Sequence, residues 1–214
     1  MNRFNRFAAA LVVAVFSLVP VSVQAQLRAG THYSELNVAQ PLEAKGKVEV
    51  VEFFWYRCPH CYTLEPVLEP WSKKLPADVR FRRVPAVLSE TWATDAAIYY
   101  TFEALGVLDK VHKPFFDAIH KDRLVITNEQ AMTEWLTKHG IERKKFDETY
   151  KSFGVQAKVK RAAQLSSAYK LEGVPMLAVQ GKYTVSAEQG GSQVGMLANT
   201  DQLIDQVRKN PEMK

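Results

Sequence analysis

The chain has 214 residues, 47% hydrophobic and 24% charged, an ordinary globular composition that excludes a fibrous or disordered protein. Its net charge of +5 is modest, and no basic tract is interleaved with aromatics, so nucleic-acid binding is not indicated. Cys58 and Cys61 are its only 2 cysteines, which excludes a disulfide-stapled scaffold.

Met1–Arg6 carries Arg3 and Arg6 without an acid, and Phe7–Val19 is an almost unbroken apolar run. Val23-Gln24-Ala25 then offers small or apolar residues ahead of a cut before Gln26. That order reads as a secretory signal peptide, residues 1–25, removed on export. A retained anchor would need about 20 apolar residues, more than this run supplies. No later stretch is apolar enough to span a bilayer, and the remainder fits one domain, or one domain with a large insertion.

Val48–Phe54 is rich in β-branched and aromatic residues, as a central strand should be. A helix is expected over Cys58–Lys74, kinked near Pro66, followed by an alternating strand at Val79–Val84. From Ser89 to Tyr169 the period and cap chemistry are helical. Ser89 or Thr91 caps a helix ending near Gly106, Thr127 with Gln130 forms a capping box, and Gly140 closes that segment. Lys144–Phe153 and Val155–Tyr169 read as further helices, and His112, His120 and His139 read as surface histidines without metal-site spacing. After Gly173, Met176–Val179 and Tyr183–Val185 form a hairpin, and Asn199 with Gln202 caps a last helix. The fold class is therefore α/β, with a helical block set into a βαβ…ββα frame.

Cys58-Pro59-His60-Cys61 follows the central strand and opens a helix. The thiolate is the reacting species in disulfide exchange, so the thiol pKa governs the chemistry. At a helix start, free N–H groups and the dipole favour an anion, and His60 adds a donor or a positive charge. Both lower the pKa of Cys58 and make it the exposed nucleophile, while Cys61, one turn further in, is the sheltered resolving partner. A structural disulfide is disfavoured because so small a loop removes little chain entropy. A zinc site would need two more ligands that the spacing does not provide. Redox use is the favoured reading, with a metal-binding CxxC protein as the alternative from another class.

Glu52 to Tyr62, with Cys58-Pro59-His60-Cys61 at its centre, resembles the active-site region of the DsbA family of periplasmic thiol:disulfide oxidoreductases. The likeness continues through Lys73–Pro76, Gly173-Val174-Pro175 and Gly181–Tyr183. It implies a thioredoxin fold with an inserted helical domain. The parts would be residues 26–88, the helical residues 89–169, and residues 170–214, which return to the first part. A lowered cysteine pKa and an oxidising couple are familiar traits of that family, so the resemblance already carries their direction. It implies a cis bond before Pro175, with the backbone of Val174 pairing with an extended substrate. Glu52 matches the buried acid that assists proton transfer at the resolving thiol, the alternative being a strand-edge glutamate that reaches solvent, and Arg83 stands where the best-known member has lysine.

The family reading is an enzyme without cofactor or metal, acting in the periplasm as a monomer. It would give the Cys58–Cys61 disulfide to reduced, newly exported proteins and be reoxidised by a DsbB-like, quinone-linked inner-membrane protein. An isomerase or reductase of the same fold is the runner-up; isomerases are expected to carry an N-terminal dimerisation domain and a threonine at Val174. Trp55 and Tyr56 are candidates for an apolar surface beside the cysteines.

Overall fold

The computed structural model describes residues 26–210; the proposed signal segment lies outside the described residues. Five strands form one sheet: β1 (Ser34–Glu35), β2 (Val48–Phe54), β3 (Val79–Pro85), β4 (Met176–Val179) and β5 (Tyr183–Ser186). Their order is β1-β5-β4-β2-β3, with β2 and β3 parallel and the other pairs antiparallel. The parallel pair needs a crossover, which α1 (Pro59–Lys73) supplies.

β2 is buried along its whole length, so both of its faces are covered. Val48 and Val50 join Leu64 and Leu68 of α1 and Leu203 and Val207 of α7 (Gln193–Lys209) in one core. Val51 and Phe53 enter a second core that extends into the helices between β3 and β4. Those helices are α2 (Glu90–Ala104), α3 (Leu108–His120), α4 (Glu129–Lys138), α5 (Arg143–Tyr150) and α6 (Phe153–Ala168). Among the described residues, no helix is long and apolar enough to cross a membrane.

α1 runs as one helix through Pro66 and Pro70. Two expected caps lie elsewhere. α4 starts at Asn128, whose side chain accepts from the Ala131 N–H, one residue after the expected Thr127. α7 starts at Ser192, whose Oγ accepts from the Gly195 N–H at 3.0 Å, a full turn and more before Asn199. Asn199 lies inside the helix and donates to the carbonyls of His32 and Gln189. A short polar side chain can serve a helix end or a tertiary tie, and the local sequence does not distinguish them. β1 was not anticipated; two residues are too short for a periodic signal.

The three histidines expected on the surface are not there. His112 is buried and the other two are half-buried. His120 stacks on Tyr62 at 4.6 Å, and His139 stacks on Trp135 at 4.0 Å. Each lies on the same side of its helix as large apolar neighbours, and an imidazole tolerates such a face when its nitrogens find partners.

Candidate active site

Cys58 is the N-cap of α1. Its Sγ accepts from the Cys61 N–H at 3.4 Å, and Pro59 fills the first helical position, where no N–H is needed. From the far side of the chain the Cys58 thiol meets Val174, donating to its carbonyl at 3.4 Å beside a cis Val174–Pro175 bond. The fold thus brings together the cysteine motif and the Val-Pro pair. Cys61 is wholly buried, and Cys58 is only 7% exposed. This corrects the expectation of an exposed Cys58: the residue is buried, with its thiol against the Val174 carbonyl. Pro59 and His60 are the exposed members of the motif.

The two thiols are driven in opposite directions. The Cys58 pKa is lowered to about 6, chiefly by the hydrogen bond from the Cys61 thiol. Backbone N–H groups of Cys61 and His60 and the charge of His60 add to this, against burial. The His60 charge expected from the sequence does contribute, but it is a lesser cause. Burial pushes the Cys61 thiol well up, and the adjacent Cys58 and Glu52 reinforce the rise.

Glu52 is completely buried on β2, not at a solvent edge. Its Oε2 accepts from Arg83 Nε at 2.9 Å, while Oε1 has no hydrogen-bond partner. Burial raises its pKa against the pull of Arg83. Arg83 also donates to Glu65 at 3.0 Å, and His112 Nε2 stands 3.4 Å from Glu65. Burial works to raise the Glu65 carboxyl, but His112 and Arg83 hold it below the usual value. Glu65, missed from the sequence, lies one helical turn after Cys61, a spacing that marks a shared face.

The strand exit is fixed by a residue with no local signal. Asp95 of α2 is 1% exposed and accepts from Trp55 Nε1 at 2.7 Å and from Arg57 at 2.8 and 3.0 Å. Trp55 stacks on Trp92 of α2 with ring centroids 4.2 Å apart. Tyr56 is buried, its hydroxyl 2.9 Å from His112 Nδ1, so of the two aromatics only Trp55 can meet a partner.

Beside the cysteines lies a groove of about 790 Å³, lined by His60, Val174, Pro175, Met176 and Gln193 among others. Gln193 of α7 donates to the His60 carbonyl at 2.8 Å and to Thr63, tying the start of α7 to the start of α1. The arrangement offers one acidified thiol, one shielded thiol within a turn, a buried carboxyl and an apolar cleft. That is the equipment of dithiol–disulfide exchange.

Comparison with known proteins agrees. Residues 49–200 match the family model described as a DSBA-like thioredoxin domain. The thiol:disulfide interchange protein DsbA of Azotobacter vinelandii is 41% identical over 203 residues, covering 92% of this chain and 95% of the relative. That of Bordetella parapertussis is 40% identical over 209 residues, covering 97% and 99%. The crystal structure of Pseudomonas aeruginosa DsbA superimposes with a TM-score of 0.81 at 40% identity, covering 86% of this chain and 95% of that one. With its fold, cysteine pair and Val-Pro loop all accounted for, the chain belongs to the DsbA-like thioredoxin family and is a thiol:disulfide oxidoreductase.

Proposed function

We propose that this enzyme is a periplasmic dithiol oxidase that donates a Cys58–Cys61 disulfide to newly exported polypeptides. A substrate thiolate attacks Cys58 Sγ, a mixed disulfide forms, and the Cys61 sulfur leaves and takes up a proton. A second substrate thiolate then attacks the substrate sulfur of the mixed disulfide, releasing Cys58 as a thiolate. Two electrons pass to the enzyme for each disulfide made. Turnover requires an electron acceptor, for which a DsbB-like quinone-linked membrane protein is the reading.

The observation that carries this is the opposed tuning of the two thiols, with Cys58 down to about 6 and Cys61 well up. A stabilised Cys58 thiolate is a good leaving group in the last step and favours the reduced enzyme. Each tenfold of that preference raises the potential of the couple by about 30 mV. Glu52, buried and electrostatically linked to Cys61, is the proposed proton partner of the resolving thiol. Val174 is the proposed backbone edge for an extended substrate; pairing through main chain suits an enzyme with many substrates.

The test is the redox equilibrium with glutathione, joined to oxidation of a reduced, unfolded protein. A couple well above thioredoxin's value of about −270 mV, with substrate disulfides formed, is expected. A potential near that value with an unshifted Cys58 would overturn the oxidase reading in favour of a reductase.

A further inference from the structure

The groove beside Cys58 carries an unbalanced charge. Its ionisable lining residues are His60, Glu172 and Glu188, the last two contributed by the loop before Val174 and the turn after β5. Both glutamates are exposed, and neither carboxylate has a hydrogen bond or an ion pair among the described residues. Elsewhere on the surface some acids are paired. Glu35, Glu69, Glu103 and Asp117 each have a lysine partner, and the whole chain carries an excess of positive charge. The apolar part of the lining is Val174, Pro175, Met176 and Ala187, and its neutral polar members are Thr63, Ser186, Ser192 and Gln193. Lined like this, the groove accepts an extended, apolar segment and leaves two negative charges for its occupant to answer.

We infer that this groove selects reduced polypeptide segments that carry a lysine or arginine within a few residues of the reacting cysteine. The inference rests on the dithiol-oxidase reading and adds the substrate class. A bound cation meets one or both carboxylates at the rim, where water screens the pair, so the effect on each encounter is modest and salt-dependent. The gain appears in kcat/KM through a faster, better-oriented approach to Cys58. A segment with an acidic residue at the same place meets like charge and is disfavoured.

The experiment measures kcat/KM for three reduced dithiol peptides, identical except for Lys, Gln or Glu placed within three residues of the attacking cysteine. The expected order is Lys, then Gln, then Glu, with up to about fivefold per engaged carboxylate. Raising the salt to about 1 M, where the screening length falls to about 3 Å, should compress the order. In E172Q/E188Q the Lys-to-Glu ratio should fall towards one, and in E172K/E188K it should invert. Equal rates for all three peptides, or a ratio unchanged in E172Q/E188Q, would overturn the inference while leaving the oxidase reading standing. Failure to oxidise any of the peptides would overturn that reading and the inference with it.

Discussion

The Cys58 thiolate draws its stabilisation from neighbours within one turn of α1. The Cys61 thiol comes first, then the N–H groups of Cys61 and His60, then the His60 charge. That order is testable: Cys61→Ala should raise the midpoint of the Cys58 thiolate absorbance titration further than His60→Ala does. The reverse ranking would show that the imidazole dominates. The sign of the pH dependence also follows. Cys58 falls from its ordinary 9.0 to about 6, so between those values the folded reduced protein binds fewer protons than the unfolded chain. Its contribution to stability is complete above 9.0, declines as pH falls, and is lost below about 6. The disulfide form has no such thiol, so reduced and oxidised melting curves should separate with rising pH across this window. Correspondingly, the potential should fall by about 59 mV per pH unit below the Cys58 midpoint and by about 30 mV above it, as proton uptake drops from two to one.

At the level of elements, the junction between β2 and α1 is held from outside. Asp95 on α2 ties both Trp55 and Arg57, and Trp92 stacks on Trp55, so a helix more than thirty residues away sets the exit angle of the strand. Burial pushes the Asp95 carboxyl up even with Arg57 in place. Arg57→Ala should therefore cost about 2 kcal/mol in denaturant unfolding at neutral pH, because a buried carboxylate keeps only the indole N–H. Adding Asp95→Asn should restore part of that loss, a coupling that a double-mutant cycle reads directly. Additive losses would show that the two side chains act independently. Local patterns foretold α1 and the place of Cys58 at its start, because strand period, turn and helix start lie in consecutive residues. They misjudged α4 and α7 because Thr127 and Asn199 have cap chemistry but stand one residue early or deep inside a helix.

For the molecule as a whole, the second core joins the sheet to the helices between β3 and β4. Phe54 stands at that junction, with ring contacts to Tyr56, Tyr99, His112 and Phe116. Phe54→Ala should cost about 3–5 kcal/mol, the range for emptying a filled aromatic site. A loss under about 1 kcal/mol would mean that the sheet and helices are stable without this contact. The sequence by itself determined the strand–helix frame, the cysteine pair and its asymmetry. Those features depend on hydrophobic period, proline position and helix-end electrostatics, all of which act within a few residues. Only the tertiary structure decided that Arg83 joins Glu52 to Glu65, that His112 is buried against Tyr56 and that the Cys58 thiol lies against the Val174 carbonyl. It also decided that two unpaired glutamates face the groove. Ion-pair partners and burial depend on which distant segments the packed core brings together, and that information is not carried by any local stretch of the chain.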